Sequence, residues 1–299
     1  MKIIRSFAVT MTVLSIFSCQ AQPHKSAINR NIDDNTTLWR VSGKDLKEPS
    51  YLFGTFHLLC KEDIHFSDEM KKDIKSAKEI YMEMDMSDPS TMLSFVQFLN
   101  MKNNKKLSDL YTLEEYKKIS AFFKDSLHTP LNLLPSAKPY FLVAFLYPRM
   151  MNCKTSSGIE QELVILAKEN KTAVHGLETM AFQASVFDSI PYEWQAKELL
   201  RNIDSSALYK RQFDTMLLAY KQQRMDDIER SISRSEFGSE AFRDILINNR
   251  NKDWVNKLMS VMQKESVFVA VGAGHLPGKD GLIDLLKKNG YTVEPLLNK

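Results

Sequence analysis

Two histidines in this 299-residue chain each stand three residues after a glycine that closes a short apolar run. "YLFGTFH" ends in Gly54–His57, and "VFVAVGAGH" ends in Gly272–His275. Each glycine is expected to let the backbone leave a strand with a positive φ while keeping the loop close to the sheet edge. Imidazoles bind metals and transfer protons near neutral pH. One Gly-x-x-His arises often by chance, but two of them after strand-like runs indicate a shared site.

Carboxylates follow two other strand-like runs. Glu83 and Asp85 end "EIYMEMD", and Glu178 follows "TAVHGL". In open α/β sheets, ligands bind beyond the carboxyl ends of the strands, and neighbouring strands lie about 4.8 Å apart. We therefore expect the two histidines and these acids to meet at one edge, where they could hold a metal ion or carry out acid–base catalysis.

Each of these acids also has a structural explanation. Glu83 and Asp85 alternate with methionine, so both could face water on an edge strand. Glu178 could be the first-turn acid of the next helix, where it would offset the helix dipole.

Two further candidates are Glu160 in "SSGIEQEL" and Arg250 in "NNRNKDW". Glu160 could belong to a helix start that Ser156 or Ser157 caps. Arg250 could clamp a carboxylate, Glu178 among them, or lie exposed on a helix.

The elements that would position these residues alternate between strands and helices at both ends of the chain. "LWRVSG" and "PSYLFGTFH" predict a hairpin, and the apolar character of "VFVAVGAG" is typical of a strand covered on both faces. Residues 192–247 have the periodicity of long amphipathic helices. The sequence therefore predicts a mixed α/β fold: a central mixed or parallel sheet flanked by helices, with a helical insertion at about residues 190–247.

Composition excludes some functions. The chain is 43% hydrophobic and carries a net charge of +3, with no basic block dense enough for nucleic acid. Neither His-Glu-x-x-His, Gly-x-Ser-x-Gly, a phosphate loop nor a dinucleotide glycine motif occurs in the sequence.

The N-terminus is typical of an export signal. Lys2 and Arg5 precede an apolar stretch over residues 7–17, and the residues ending in Cys19 resemble a bacterial lipobox. We predict a signal peptide over residues 1–18 with lipid attached to Cys19, which would make this a periplasmic or outer-membrane lipoprotein. The alternative is cleavage near Ala21, which would release a soluble exported protein.

After the leader, a polar tether is predicted over residues 19–37 and a single domain over residues 38–299, with order beginning near Leu38. Cys60 and Cys153 are the cysteines left in the domain. In an exported chain they are expected to form a disulfide, although two buried free thiols would also fit.

Several segments together resemble the TraB/GumN family, which includes the Tiki group of membrane-anchored, Wnt-cleaving proteases. The resemblance covers most of residues 38–297 and is most specific around His275. The segments are "LWRVSG…SYLFGTFHL", "EIYMEMD", "SGIEQEL", "VHGLET…Q", "NNRNKDWVNKL" and "VFVAVGAGHLPGKDGLIDLLKKNGYTV".

The resemblance implies a divalent-metal hydrolase, because Tiki proteins resemble proteases that use manganese or cobalt. It places the family's motifs on the two Gly-x-x-His segments, on the acids already named, and on Arg250 with Asn251. The acid at position 160 is often Asp in relatives, and the Glu160 found here reaches one methylene further. Related folds include heme-binding proteins and metal-independent erythromycin esterases, so membership alone does not define the chemistry.

We therefore predict an exported, peptidase-like, metal-dependent hydrolase that acts on a peptide or small molecule. The metal would be Mn, Co or Zn, the base Glu160 or Glu178, and Arg250 would orient substrate or stabilise negative charge. The predicted metal ligands are His57, His275 and Glu83. One alternative is a metal-independent hydrolase with a histidine base; another is a non-catalytic lipoprotein that binds a peptide or heme.

Overall fold

The computed structural model describes residues 35–90, 97–233 and 240–298, and a six-stranded sheet lies at its centre. The predicted signal peptide, Cys19 and most of the tether lie outside these residues. The strands are β1 Leu38–Ser42, β2 Ser50–Thr55, β3 Leu59–Cys60, β4 Glu79–Met82, β5 Ser156–Ser157, β6 Ala173–Gly176, β7 Val267–Gly272 and β8 Thr292–Pro295.

The sheet has the strand order β6-β4-β7-β2-β1-β8. Strands β6, β4, β7 and β2 run parallel, while β1 is antiparallel to both β2 and β8. The mixed α/β fold and the predicted hairpin are confirmed. In the register, Thr55 pairs with Gly272 and Met82 with Gly176, so four strands end at one edge.

The central strands β2 and β7 are buried along almost their whole length, which explains their uninterrupted apolar sequences. Helices pack against the sheet, and further helices lie outside its core. They are α1 Asp68–Ser76, α2 Leu113–Ala121, α3 Pro139–Ala144, α4 Tyr147–Met150, α5 Ile159–Asn170, α6 Met180–Asp188, α7 Tyr192–Asp204, α8 Ser206–Lys221, α9 Met225–Ser233, α10 Asn249–Met262 and α11 Leu282–Lys288.

The described residues form two hydrophobic cores. One surrounds the sheet, and the other joins residues of the 101–150 segment with residues of α7 and α8. Phe56 packs against both cores, and its ring contacts Tyr220 and Phe213 of α8. The predicted insertion therefore shares its core with an earlier helical segment, a long-range contact that helical periodicity does not reveal.

The last residues of the predicted tether pack against the C-terminal strand region. Thr36 and Thr37 are buried, and the Thr36 hydroxyl donates to the Leu296 carbonyl at 2.7 Å. Within the described residues, no helix combines the length and the apolar character that crossing a membrane requires.

Candidate functional site

Four strand ends and the starts of two helices bring the six predicted site residues together at one edge of the sheet. His57 lies two residues after β2, Glu83 directly after β4, and His275 closes a 3₁₀ turn that follows β7. Glu178 lies two residues after β6, while Glu160 and Arg250 lie in the first turns of α5 and α10. The contacts described below connect them.

Gly54 and Gly272 allow neighbouring atoms to come close to the backbone, because neither carries a side chain. Neither has a positive φ, so that expectation is wrong; φ at Gly272 is −48°. A β-carbon placed on Gly54 would lie 3.0 Å from the Ala273 α-carbon. A β-carbon on Gly272 would lie 3.1 Å from Glu83 Oε1 and 3.6 Å from His57 Nε2. Gly54 thus lets the two motifs pack together, and Gly272 leaves room where the side chains converge.

His57 is oriented by Glu160. Its Nδ1 lies 2.7 Å from Glu160 Oε1, which also accepts the Thr55 hydroxyl at 2.6 Å. Burial alone would lower the pKa of His57, but the Glu160 carboxylate raises it to about 9. The ring is 72% exposed, so solvent screens part of this effect. With Nδ1 engaged, Nε2 is the nitrogen available to a ligand.

Glu160 is placed by a helix start that differs from the predicted one. Gly158 is the N-cap of α5, whereas Ser156 and Ser157 form β5 and pair with β3. The serine-cap prediction is wrong because these residues are used in a strand pair. A β-carbon on Gly158 would lie 2.8 Å from the His57 carbonyl oxygen, so this glycine lets the two loops touch.

A disulfide fixes the same pair of loops. Cys60 ends β3 and is bonded to Cys153, with α-carbons 5.7 Å apart, which confirms the predicted pairing. Backbone hydrogen bonds from Lys61 to Thr155 and from Ile159 to Phe56 lie on either side of the β3–β5 pair. The segments carrying His57 and Glu160 are therefore cross-linked covalently beside the site.

The tautomer of His275 follows from its partner. Asn251 donates its side-chain amide to the carbonyls of His275 and Asp280, so its Oδ1 must be the acceptor 2.7 Å from His275 Nδ1. Nδ1 therefore carries the proton and Nε2 carries a lone pair. Burial lowers the pKa of His275 to about 3, which keeps the ring neutral.

Glu83 belongs to the site and does not face water on a sheet edge, because β4 lies between β6 and β7. Its Oε1 accepts the Gly272 N–H at 2.9 Å, and its Oε2 accepts Arg250 Nη2 at 2.6 Å. Burial by itself would raise the pKa of Glu83, but the Arg250 guanidinium and the Gly272 N–H lower it. Asp85 instead accepts hydrogen bonds from Ser87.

Glu178 is the most enclosed acid of the site. Arg250 donates to it from Nε at 3.1 Å and from Nη2 at 2.6 Å. Trp254 donates its indole N–H at 3.2 Å, and Gln183 donates at 3.0 Å. The expectation that Arg250 clamps Glu178 is confirmed. Burial raises the pKa of Glu178, and Arg250 partly offsets that rise.

Thr55 and Trp254 were not predicted from the sequence. Trp254 lies over Arg250 at 4.7 Å, and its ring is 4.5 Å from that of His275. It stands four residues after Arg250, so helical spacing places both on one face. Thr55 precedes His57 by two residues, and both side chains contact Glu160 Oε1. In both cases spacing from a predicted residue was the available signal.

The donor chemistry of the site fits a divalent cation. Each imidazole has its Nδ1 held by an oxygen, the arrangement usual for metal-binding histidines, and His275 Nε2 lies 3.8 Å from Glu83 Oε1. Three carboxylates against one guanidinium and a protonated His57 leave a formal charge of −1 in the metal-free protein at pH 7. The charge becomes −2 when His57 loses its proton to bind a metal, and a divalent cation would balance it.

Among the described residues, the one group of three potential ligands whose donor atoms all lie within 4.8 Å of one another is Cys60, Glu62 and Cys153, so the donor atoms of His57, Glu83 and His275 are more widely spaced than that. Its two sulfurs are bonded to each other, so they are not available to a metal.

Comparison with known proteins identifies the family to which the chain belongs. The TraB/PrgY/gumN family matches residues 37–295, and the chain belongs to that family. It is 23% identical to "Metalloprotease TIKI homolog" of Nematostella vectensis, over 97% of this chain and 75% of that protein. It is 20% identical to human "Metalloprotease TIKI1" and 21% identical to "Metalloprotease TIKI2" of Danio rerio, over 93% and 88% of this chain.

The chain spans 64% of the human relative's length and 61% of the Danio rerio relative's. No solved structure matches the chain.

Proposed function

We propose that this chain is an exported, metal-dependent hydrolase that cleaves peptides. One observation carries the proposal: two imidazoles whose Nδ1 atoms are held by Glu160 and Asn251 face the same space over Gly272 as the Glu83 carboxylate, whose Oε1 lies 3.8 Å from His275 Nε2. The relatives named as metalloproteases support the reaction class.

In this proposal His57, Glu83 and His275 hold the cation, which when bound acts as a Lewis acid and lowers the pKa of water. The candidate metals are Mn, Co and Zn.

Of the two remaining acids, Glu160 is the better base. Four donor contacts already fall on the two oxygens of Glu178. Glu160 receives Thr55 and His57 on Oε1, which leaves Oε2 to accept a proton. We therefore assign proton transfer to Glu160 and a structural charge to Glu178.

Export is part of the proposal, and the Cys60–Cys153 disulfide supports it, because such bonds persist in oxidising compartments. We propose that a lipid on Cys19 attaches the exported protein to the membrane.

The test is elemental analysis of the purified full-length protein together with a peptide-library cleavage assay. We expect bound Mn, Co or Zn, cleavage that stops on chelation and returns with metal, and loss of metal in both His57→Ala and His275→Ala. His65→Ala removes an exposed histidine and is the matched control. Full peptidase activity in metal-free protein would contradict the proposal.

One observation favours a second candidate, a metal-independent hydrolase. The His57 ring is exposed and is oriented by a carboxylate, the arrangement of a general base. Its raised pKa of about 9 would leave it protonated at neutral pH, which weakens this candidate. Activity that survives exhaustive chelation but is lost in Glu160→Gln would favour it.

A further inference from the structure

Arg250 contacts two of the three residues to which we assign metal binding, Glu83 and His275. Its Nη2 is 2.6 Å from Glu83 Oε2, and its Nη1 is 3.3 Å from His275 Nε2. The side chain is 8% exposed. The guanidinium thus neutralises Glu83 and hydrogen-bonds to His275, two of the three groups to which we assign metal binding.

The guanidinium has no donor to spare. Its five N–H groups match five acceptors, because the remaining contacts are to Leu246 O at 2.9 Å and to both oxygens of Glu178. Since His275 Nδ1 carries the proton, Nη1 donates to the lone pair on Nε2. That lone pair is the one a metal would need.

The contacts of Arg250 fall into two groups. Towards Glu178 it forms a two-bond fork, and the Trp254 ring lies 4.7 Å beneath it. Towards Glu83 and His275 it makes one bond to each, and the bond to His275 is long. A small rotation of the guanidinium that keeps its two bonds to Glu178 would release Glu83 and His275.

We propose that Arg250 is an internal counter-ion that competes with the metal. In the metal-free protein it occupies the position between Glu83 and His275, and it gives up both contacts, keeping the fork on Glu178, when a divalent cation binds. This inference rests on the proposed metal site. It assigns Arg250 to control of metal uptake and not to substrate contact.

Two variants should change metal affinity in opposite directions. Arg250→Met combined with Glu178→Met removes the competitor together with its buried partner, so Mn²⁺ should bind at least about tenfold more tightly. Glu178→Gln weakens the anchor and leaves Arg250 on Glu83, so Mn²⁺ should bind about tenfold more weakly. A purely structural role would weaken binding in both variants.

Mn²⁺ titration of the full-length, metal-depleted protein by calorimetry measures these affinities, with thermal unfolding to verify that each variant folds. Lys252→Met removes an exposed positive charge from α10 and should change affinity by less than about twofold. Weaker or unchanged binding in the folded double variant would overturn the inference, and so would tighter binding in Glu178→Gln.

Peptide cleavage separates this inference from the proposed function. Mn²⁺ affinities that shift as expected, in a protein that cleaves no peptide, would sustain the counter-ion and refute the hydrolase. Metal-dependent cleavage with the same Mn²⁺ affinity in every variant would support the hydrolase and refute the counter-ion.

Discussion

Gly54 and Gly272 both provide space, but a side chain at each position would meet a different obstacle. At Gly54 the neighbours are the Ala273 α-carbon and the Leu276 side chain, both within 3.0 Å of a β-carbon. At Gly272 the near atoms belong to Glu83, His57 and His275. The first glycine therefore serves packing, and the second serves the site.

Alanine at the two glycines should separate these roles. We expect Gly54→Ala to lower the free energy of unfolding by about 1–3 kcal/mol, because backbone must move to admit the methyl group. Gly272→Ala should cost less than about 1 kcal/mol, since its φ suits alanine, yet weaken Mn²⁺ binding about tenfold. Urea unfolding and metal titration provide the two measurements. Equal stability losses with unchanged metal affinity would show that both glycines serve packing alone.

The two histidines also differ, although their motifs match in sequence. His57 lies exposed against the Glu160 carboxylate, which raises its pKa to about 9. His275 is buried beside Arg250 and Asn251, and its pKa falls to about 3. In the metal-free protein one ring is charged and the other neutral at pH 7, a difference set by neighbours that lie far away in the sequence.

Among the secondary-structure elements, the β3–β5 pair has the clearest link to the site. Its two strands are only two residues long, and a pair this short has little stability of its own. The Cys60–Cys153 bond spans 93 residues of sequence and holds the pair together. The disulfide therefore compensates for the small number of hydrogen bonds beside His57 and Glu160.

Removing the disulfide should destabilise the fold. For Cys60→Ala combined with Cys153→Ala, we expect the free energy of unfolding to fall by about 2–5 kcal/mol, because the unfolded chain is no longer closed into a loop. Urea unfolding with and without a dithiol reductant measures this change in the free energy of unfolding. The wild type should respond to the reductant and the double variant should not. A variant as stable as the oxidised wild type would show that the hydrogen bonds suffice.

Sequence rules worked where local pattern and sheet geometry agree. Parallel strands end at one edge, and that rule was enough to place His57, Glu83, Glu178 and His275 together. The rules failed where a tertiary contact decides the outcome. Ser156 lies in a strand instead of capping a helix, because residues 59–60 pair with it and its neighbour.

At the scale of the whole molecule, the site lies where the two hydrophobic cores meet. Phe56, between Thr55 and His57, packs against both, and the Tyr220 hydroxyl of α8 donates to the Gly54 carbonyl at 2.8 Å. We call the helices packed around the second hydrophobic core the helical part. The helical part thus supports the loop that carries His57. A loss of packing in that part should therefore reach the site.

A buried ion pair holds the helical part together. Lys138 Nζ lies 3.0 Å from Asp188 Oδ1 and donates to the Phe98 carbonyl at 2.8 Å, and the Lys138 side chain is 2% exposed. Asp188 also accepts the Tyr192 hydroxyl at 2.6 Å. Burial by itself would raise the pKa of Asp188, but the Tyr192 hydroxyl and the Lys138 ammonium lower it. A carboxyl whose folded-state pKa is depressed stabilises the fold at neutral pH, and that stabilisation is lost as the pH falls through its folded-state pKa.

We therefore expect Asp188→Asn to lower the free energy of unfolding at pH 7 by about 3–5 kcal/mol, because Lys138 stays buried without its counter-charge. The difference from wild type should shrink as the pH falls through the depressed folded-state pKa of Asp188, since the wild type then protonates Asp188 and loses the same interaction. Asp214→Asn, which removes a half-exposed partner of Lys210, should cost less than about 1 kcal/mol at pH 7. Urea unfolding over a pH series that runs from neutral into the range below the ordinary aspartate pKa measures these differences. A difference for Asp188→Asn that stays constant across the whole series would show that its carboxylate charge does not stabilise the helical part.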